Sequence, residues 1–197
     1  YSMSGLEARP TIDVDFMADR ISRDRDTLTK VFQEILGIVC EEDGVIFDAD
    51  NIKLEPITIE KKYPGTRFYF TAHMDTIVYN MSVDVGFGDV VTPYPASIDF
   101  PLLLSNMPTV HLQAYSLETV VAEKFHTMLD RDTLNSRMKD FFDCYQLLTK
   151  RSLDTDMLYE AIKATFDNRQ LAYNPHLHLF TDGFVTCLLY TSPSPRD

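Results

Sequence analysis

Two carboxylates stand two residues apart in Thr11-Ile-Asp-Val-Asp-Phe-Met17, at Asp13 and Asp15, among β-branched and aromatic neighbours. That alternation predicts a strand, and side chains two apart on a strand share a face. Carboxylates held so close repel one another, and burial sharpens the repulsion unless a cation intervenes. Mg²⁺ suits such a pair: it takes one or two carboxylates and leaves its other positions to substrate phosphates. A pair of such ions clamps an in-line phosphoryl transfer. Asp84, in Val83-Asp84-Val85, is the natural third ligand, because its apolar neighbours predict a carboxylate that points away from the core. The plain alternative is a strand face solvated by water, since D-x-D alone is common.

A second set of charges lies further along. Glu118, Glu123 and Lys124 occur in Ser116-Leu-Glu-Thr-Val-Val-Ala-Glu-Lys124, followed by Ser136-Arg-Met-Lys-Asp-Phe-Phe-Asp143. Asp140 and Asp143 are spaced i, i+3 and share a helix face. Lys124, Arg137 and Lys139 suit phosphate oxygens, the arginine through its bidentate fork. For any one of these residues alone, a surface ion pair is the ordinary reading. His73 and Asp75, in Thr71-Ala-His-Met-Asp-Thr76, look like the His-x-Asp strand motif of zinc peptidases and related hydrolases. That class needs a downstream acidic pair and further His ligands, whereas the next segment, Val78–Val85, reads as another strand. His176 and His178 read as a surface strand or loop.

These residues need elements to hold them. After the first strand, Asp26 or Thr27 is placed to cap a helix whose core face is Leu28, Val31, Phe32, Ile35, Ile38 and Val39. Gly44 breaks the chain. Strands are predicted over Val45–Phe47, Ile52–Ile59, Arg67–Ala72 and Thr76–Val85, with Tyr63-Pro-Gly-Thr66 as a turn. Thr92–Pro108 holds four Pro and reads as a loop, and Val110–Ala114 as a last short strand. Three helices come next. The first is capped by Ser116 and carries Leu117, Val120, Val121, Phe125, Met128 and Leu129. The second spans Ser136–Thr149, with Met138, Phe141, Phe142, Tyr145 and Leu148 as its core face. The third spans Asp154–Phe166, with Met157, Leu158, Ile162 and Phe166. Strands with one early helix, then three helices in succession, predict an α+β fold with a helical second half.

Composition narrows the functions. The chain has 197 residues, 45% of them hydrophobic, which is enough for a core and excludes wholesale disorder. Lys plus Arg number 18 against 30 Asp plus Glu, a net charge of −12, so a grip on long nucleic acid by phosphate neutralisation is not expected. A small phosphorylated ligand held through metal ions remains compatible. So does a local basic face gathered from Arg9, Lys61, Lys62, Arg67, Arg131, Arg137 and Lys139. No apolar run of about 18 residues predicts a membrane span. Three Cys without regular spacing exclude a disulfide scaffold and a four-Cys zinc site, and a reducing cytoplasm is the expected compartment. Tyr1–Leu6 opens as if cut inside an element. Cys187–Asp197 resembles the translation of a transposase sequencing adapter, so residues 187–197 are expected to lie outside the fold and the natural chain to be longer.

Four stretches in order, Arg9-Pro-Thr-Ile-Asp-Val-Asp-Phe16, Val83-Asp-Val-Gly-Phe-Gly-Asp89, Ala114-Tyr-Ser-Leu-Glu-Thr-Val-Val-Ala-Glu-Lys-Phe125 and Ser136-Arg-Met-Lys-Asp-Phe-Phe-Asp-Cys-Tyr145, together resemble the AbiEii/AbiGii nucleotidyltransferase family, toxins of abortive-infection toxin–antitoxin systems. The resemblance covers about Tyr1 to Phe166. It implies a polymerase-β-like nucleotidyltransferase mixed sheet, residues 1–115, followed by a helical C-terminal part, residues 116–186. It implies a nucleoside triphosphate bound with Mg²⁺, and transfer of a nucleotidyl group to an acceptor, in some members a tRNA end; the net charge of −12 suits a nucleotide or a protein acceptor better. A cognate antitoxin encoded nearby is the implied partner in phage defence. Carried over by position, Asp13 and Asp15 match the metal-binding pair and Asp84 resembles the third carboxylate. Lys124 matches the lysine that contacts the triphosphate, beside Arg137 and Lys139, and Asp140 and Asp143 match the D-x-x-D block. The family's Gly-Gly-Ser/Thr turn, whose amides cradle phosphates, is not supplied by Tyr1–Gly5. Either it lies upstream of Tyr1 or this copy lacks it. In the second case the chain is expected to be an inactive nucleotidyltransferase fold that serves as a binding module.

Overall fold

The computed structural model describes residues 14–41, 43–59, 63–100, 109–134 and 137–184. These fall into two compact units, one of Tyr1–Asp89 with Asp99–Val110, the other of Val90–Ile98 with His111–Asp197. The class is α+β, a mixed sheet followed by helices.

The first unit is built on strands β1 (Asp15–Ala18), β2 (Ile46–Phe47), β3 (Lys53–Ile59), β4 (Tyr63–Met74) and β5 (Ile77–Phe87), with helix α1 (Arg25–Leu36). β4 is the longest and organises the rest. On one side it pairs antiparallel with β5, and on the other β3 and β2 lie one after the other along its length. β1 adds to the far edge of β5 as the parallel strand of the sheet. The segment Tyr63–Thr66, predicted as a turn, is strand instead, with Gly65 opposite Ile57 and Thr66 opposite Pro56. The reversal between β4 and β5 is made by Asp75 and Thr76, with Asp75 at φ 52, a left-handed conformation that Asp tolerates.

Alternation sorts the two faces of this sheet. Leu54, Phe68, Phe70, Val83, Val85 and Phe87 point to one side and pack against Leu28 and Leu36 of α1. Phe68 is fully buried and stacks on Phe32 with ring centroids 3.6 Å apart. Burying such a ring is worth about 1.5–3 kcal/mol. The cap of α1 is Asp24, whose carboxylate accepts from the Thr27 amide at 3.0 Å, rather than Asp26 or Thr27. The helix stops at Leu36, so Ile38 and Val39 lie beyond it and are exposed, as is Ile35.

The second unit carries three helices, α2 (Leu117–Arg131), α3 (Met138–Lys150) and α4 (Thr155–Arg169). Two short strands, β6 (Ala96–Phe100) and β7 (Val110–Ala114), pair with each other. β6 lies inside the stretch predicted as loop: Pro93 and Pro95 precede it and leave its own amides free for pairing. Ser116 caps α2 by accepting from the Thr119 amide at 3.1 Å. The buried Thr119 hydroxyl donates to the Thr92 carbonyl at 2.8 Å, which ties the 90–98 segment to the start of α2. Val121, Met128 and Cys144 form the core here, with Phe125, Phe141, Leu147 and Leu158 packed around them. Of the predicted core face of α3, only Phe141 packs against the core. Met138, Phe142, Tyr145 and Leu148 are exposed, and the residues buried on that helix are Asp140, Asp143 and Cys144.

Candidate active site

Asp15 and Asp84 are register partners on the parallel neighbours β1 and β5, fixed by a 3.1 Å bond from the Asp84 amide to the Val14 carbonyl. Asp84 is in turn opposite Arg67 on β4, and Arg67 is opposite Glu55 on β3. Register partners project from the same face of a sheet. Asp15, Asp84, Arg67 and Glu55 therefore form one row across four strands, on the face turned away from Phe68, Val83 and Val85. The pattern around Asp84 has a direct cause: Val83 and Val85 fill the core and leave the residue between them on the open side.

Within the row, Arg67 grips Asp84 by both oxygens. Its Nε donates to Oδ1 at 2.5 Å and its Nη2 to Oδ2 at 2.7 Å, the bidentate fork that guanidinium and carboxylate geometry favour. The guanidinium is held above its ordinary range, first by Asp84 and then by Tyr69. Glu55 is bound by Lys53 at 2.6 Å, which holds its carboxyl below the usual range and raises the Lys53 amine. Strand neighbours lie about 4.8 Å apart, so the charges of Asp15 and Asp84 repel and Arg67 offsets part of that cost.

The donor chemistry of Asp15 and Asp84, two carboxylates on one open face, fits a hard divalent cation such as Mg²⁺. Asp13 lies outside the described residues. Among the described residues no three His, Cys, Asp or Glu side chains gather closely enough to hold a metal ion. His73 is on β4 and Asp75 in the turn after it, and His178 opens the short 3-10 turn His178–Phe180.

The second unit gathers the other predicted residues. Lys124 of α2 places its amine 3.0 Å from Asp140 Oδ1 and 2.8 Å from Asp143 Oδ2, both on α3. Arg137, just before α3, donates through Nε to Asp140 Oδ2 at 2.7 Å. The two carboxylates are 2% exposed and Lys124 is 17% exposed. Charges this deep persist only when paired, so Lys124 and Arg137 make the burial of Asp140 and Asp143 possible. Asp140 also sits in the first turn of α3, where the helix dipole favours a negative charge. Lys139 is exposed on the same helix. Glu123, next to Lys124, turns to α4 and accepts from Arg169 Nη2 at 2.6 Å. Cys144 lies beside this network, and burial pushes its thiol up to about 11.

Of the residues considered for a basic face, Arg9, Lys61 and Lys62 lie outside the described residues, Arg67 is engaged by Asp84 and Arg137 by Asp140. The role of Arg67 beside Asp84 was missed in the sequence. The signal was there: counting equally outward from the two-residue turn Asp75-Thr76 brings Arg67 opposite Asp84. Without a Gly in that turn the hairpin register does not announce itself.

A sequence model of one protein family, described as nucleotidyl transferase AbiEii toxin, type IV TA system, matches residues 2–187. The chain belongs to the AbiEii family. No curated protein and no solved structure matches it. The AbiEii family is one of nucleotidyltransferase toxins of toxin–antitoxin systems, and a cognate antitoxin is the partner it implies. The AbiEii match takes in Asp13, Asp15, Asp84, Lys124, Arg137, Lys139, Asp140 and Asp143. Among the described residues no helix is long and apolar enough to cross a membrane.

Proposed function

We propose that this AbiEii chain transfers a nucleotidyl group from a nucleoside triphosphate to an acceptor hydroxyl, with Mg²⁺ as cofactor, and acts in the cytoplasm in phage defence. The acceptor favoured by the family resemblance is a tRNA end. A protein acceptor suits the acidic chain equally well on charge. The observation that carries the proposal is the register of Asp15 with Asp84, which sets two carboxylates side by side on the open face of the sheet.

Asp13, Asp15 and Asp84 are the residues that would hold Mg²⁺. When bound, Mg²⁺ supplies charge neutralisation for the triphosphate and lowers the pKa of an attacking hydroxyl. The sheet's part is positional: hydrogen bonding between β1 and β5 fixes where the carboxylates stand before substrate arrives, so little reorganisation is left to the reaction. Lys124, Arg137 and Lys139 are proposed as phosphate contacts, with Asp140 or Asp143 as proton acceptor. For Lys124 and Arg137 that role requires the cation to loosen its hold on Asp140.

The test uses the purified protein, α-labelled nucleoside triphosphates, Mg²⁺ and a tRNA pool. Label is expected on RNA or protein, and Asp15→Asn should abolish it. Absence of any transfer by the parent protein would sink the proposal. A second reading, a catalytically silent binding module, is favoured by one observation: Arg67, Lys124 and Arg137 are each already engaged by a carboxylate. It requires that Asp15→Asn leave cellular toxicity intact.

A further inference from the structure

The sheet row holds a cation where the proposed metal chemistry has no use for one at rest. Arg67 covers both oxygens of Asp84, while Asp15 stands in register on the other side of Asp84. A divalent cation drawn to this pair meets the guanidinium as a like charge. Arg67 is not locked in place, because its side chain is 42% exposed and that of Asp84 25%. Water reaches the pair from the arginine's side and screens it, so a more highly charged anion can draw the arginine away. A triphosphate is such an anion, and two oxygens of one phosphate can accept from the guanidinium fork as a carboxylate does.

We infer that Arg67 is an exchangeable counter-ion: it neutralises Asp84 in the resting protein and moves to the phosphates when a metal-bound triphosphate arrives. This rests on the nucleotidyltransferase reading above. Arg67 thereby has two opposite effects. It weakens capture of a metal ion alone and strengthens capture of the triphosphate, which makes metal binding depend on the nucleotide. A merely structural arginine would do neither.

The experiment compares Arg67→Gln with the parent 197-residue chain by calorimetry, using Mn²⁺ alone as one probe and inorganic tripolyphosphate with excess Mg²⁺ as the other. Loss of the competing cation should tighten Mn²⁺ binding about tenfold, and loss of the fork should weaken tripolyphosphate binding about tenfold. Arg67→Lys keeps the charge without the fork. It should hold Mn²⁺ affinity within about twofold of the parent yet still weaken tripolyphosphate, so the inference stays testable if the Gln variant does not fold. Unchanged or weaker Mn²⁺ binding in Arg67→Gln, or unchanged tripolyphosphate binding, overturns the inference and leaves the metal site standing. Uptake of Mn²⁺ by neither protein overturns both.

Discussion

The Lys124 amine lies 2.8 Å from the Asp143 carboxylate, with only 2% of the Asp143 side chain exposed. This contact between α2 and α3 keeps a charge inside the helical unit. Removing the amine takes away a cation that faces that charge. Lys124→Met is expected to destabilise the protein by about 3–5 kcal/mol, because two buried carboxylates, Asp140 and Asp143, lose a cation they share. The double variant Lys124→Met, Asp143→Asn should recover a good part of that loss, as neighbours in one network are not additive. Urea denaturation of the parent, the two single variants and the double variant closes the cycle. Strictly additive effects would show that the pair is not coupled.

Asp15 is exposed on an edge strand, so its charge can be removed with little disturbance of the core. Asp15→Asn is expected to lower nucleotidyl transfer by more than about 100-fold, since a lost metal ligand forfeits several kcal/mol of charge stabilisation. The melting temperature should move by no more than a degree or two. Circular dichroism beside the transfer assay separates the two effects, and an active Asp15→Asn enzyme would remove Asp15 from the metal set.

Cys144 gives a pH signature. Burial raises its thiol in the fold to about 11 from an ordinary value of 9.0. A raised folded value means that the unfolded chain loses this proton first. The contribution is therefore whole below pH 9 and is lost as pH rises toward 11. Melting temperatures measured from pH 8 to 11 should fall, and the fall should be shallower in Cys144→Ala. At pH 8 iodoacetamide should modify the exposed Cys40 far faster than Cys144, as peptide mass mapping would register. Equal labelling of the two would contradict the burial.

Ser116 serves twice, as cap of α2 and as a donor to the Thr92 carbonyl at 3.3 Å. Ser116→Ala should cost about 1–2 kcal/mol and Ser116→Asp considerably less, because aspartate also caps. Thermal denaturation distinguishes them. Equal losses in both variants would place the importance of Ser116 in its bond to Thr92 instead of in the cap.

Local pattern carried a large share of this protein. The alternation of Val83-Asp84-Val85 announced a strand with its carboxylate on the open face, and a strand is what stands there. Ser116 announced the start of α2, since a hydroxyl beside an apolar stripe has one obvious use. Ordered motifs announced the family, and the matched residues 2–187 bear that out. All of these signals live within a few residues of one another.

What the tertiary structure decided lay across elements. Apolar periodicity on α3 pointed to Met138, Phe141, Phe142, Tyr145 and Leu148 as the buried side, yet of these only Phe141 packs against the core, the other four are exposed, and Asp140 and Asp143 are buried. Hydrophobicity scores each residue alone, whereas a carboxylate can be buried once Lys124 and Arg137 come to meet it. The placing of Arg67 on Asp84 followed likewise from the β4–β5 register and not from any local motif. Spacing along the chain determined which residues could do chemistry. Pairing between strands and between helices decided which charges they would face, because the cost of a charge is set by its neighbours in space.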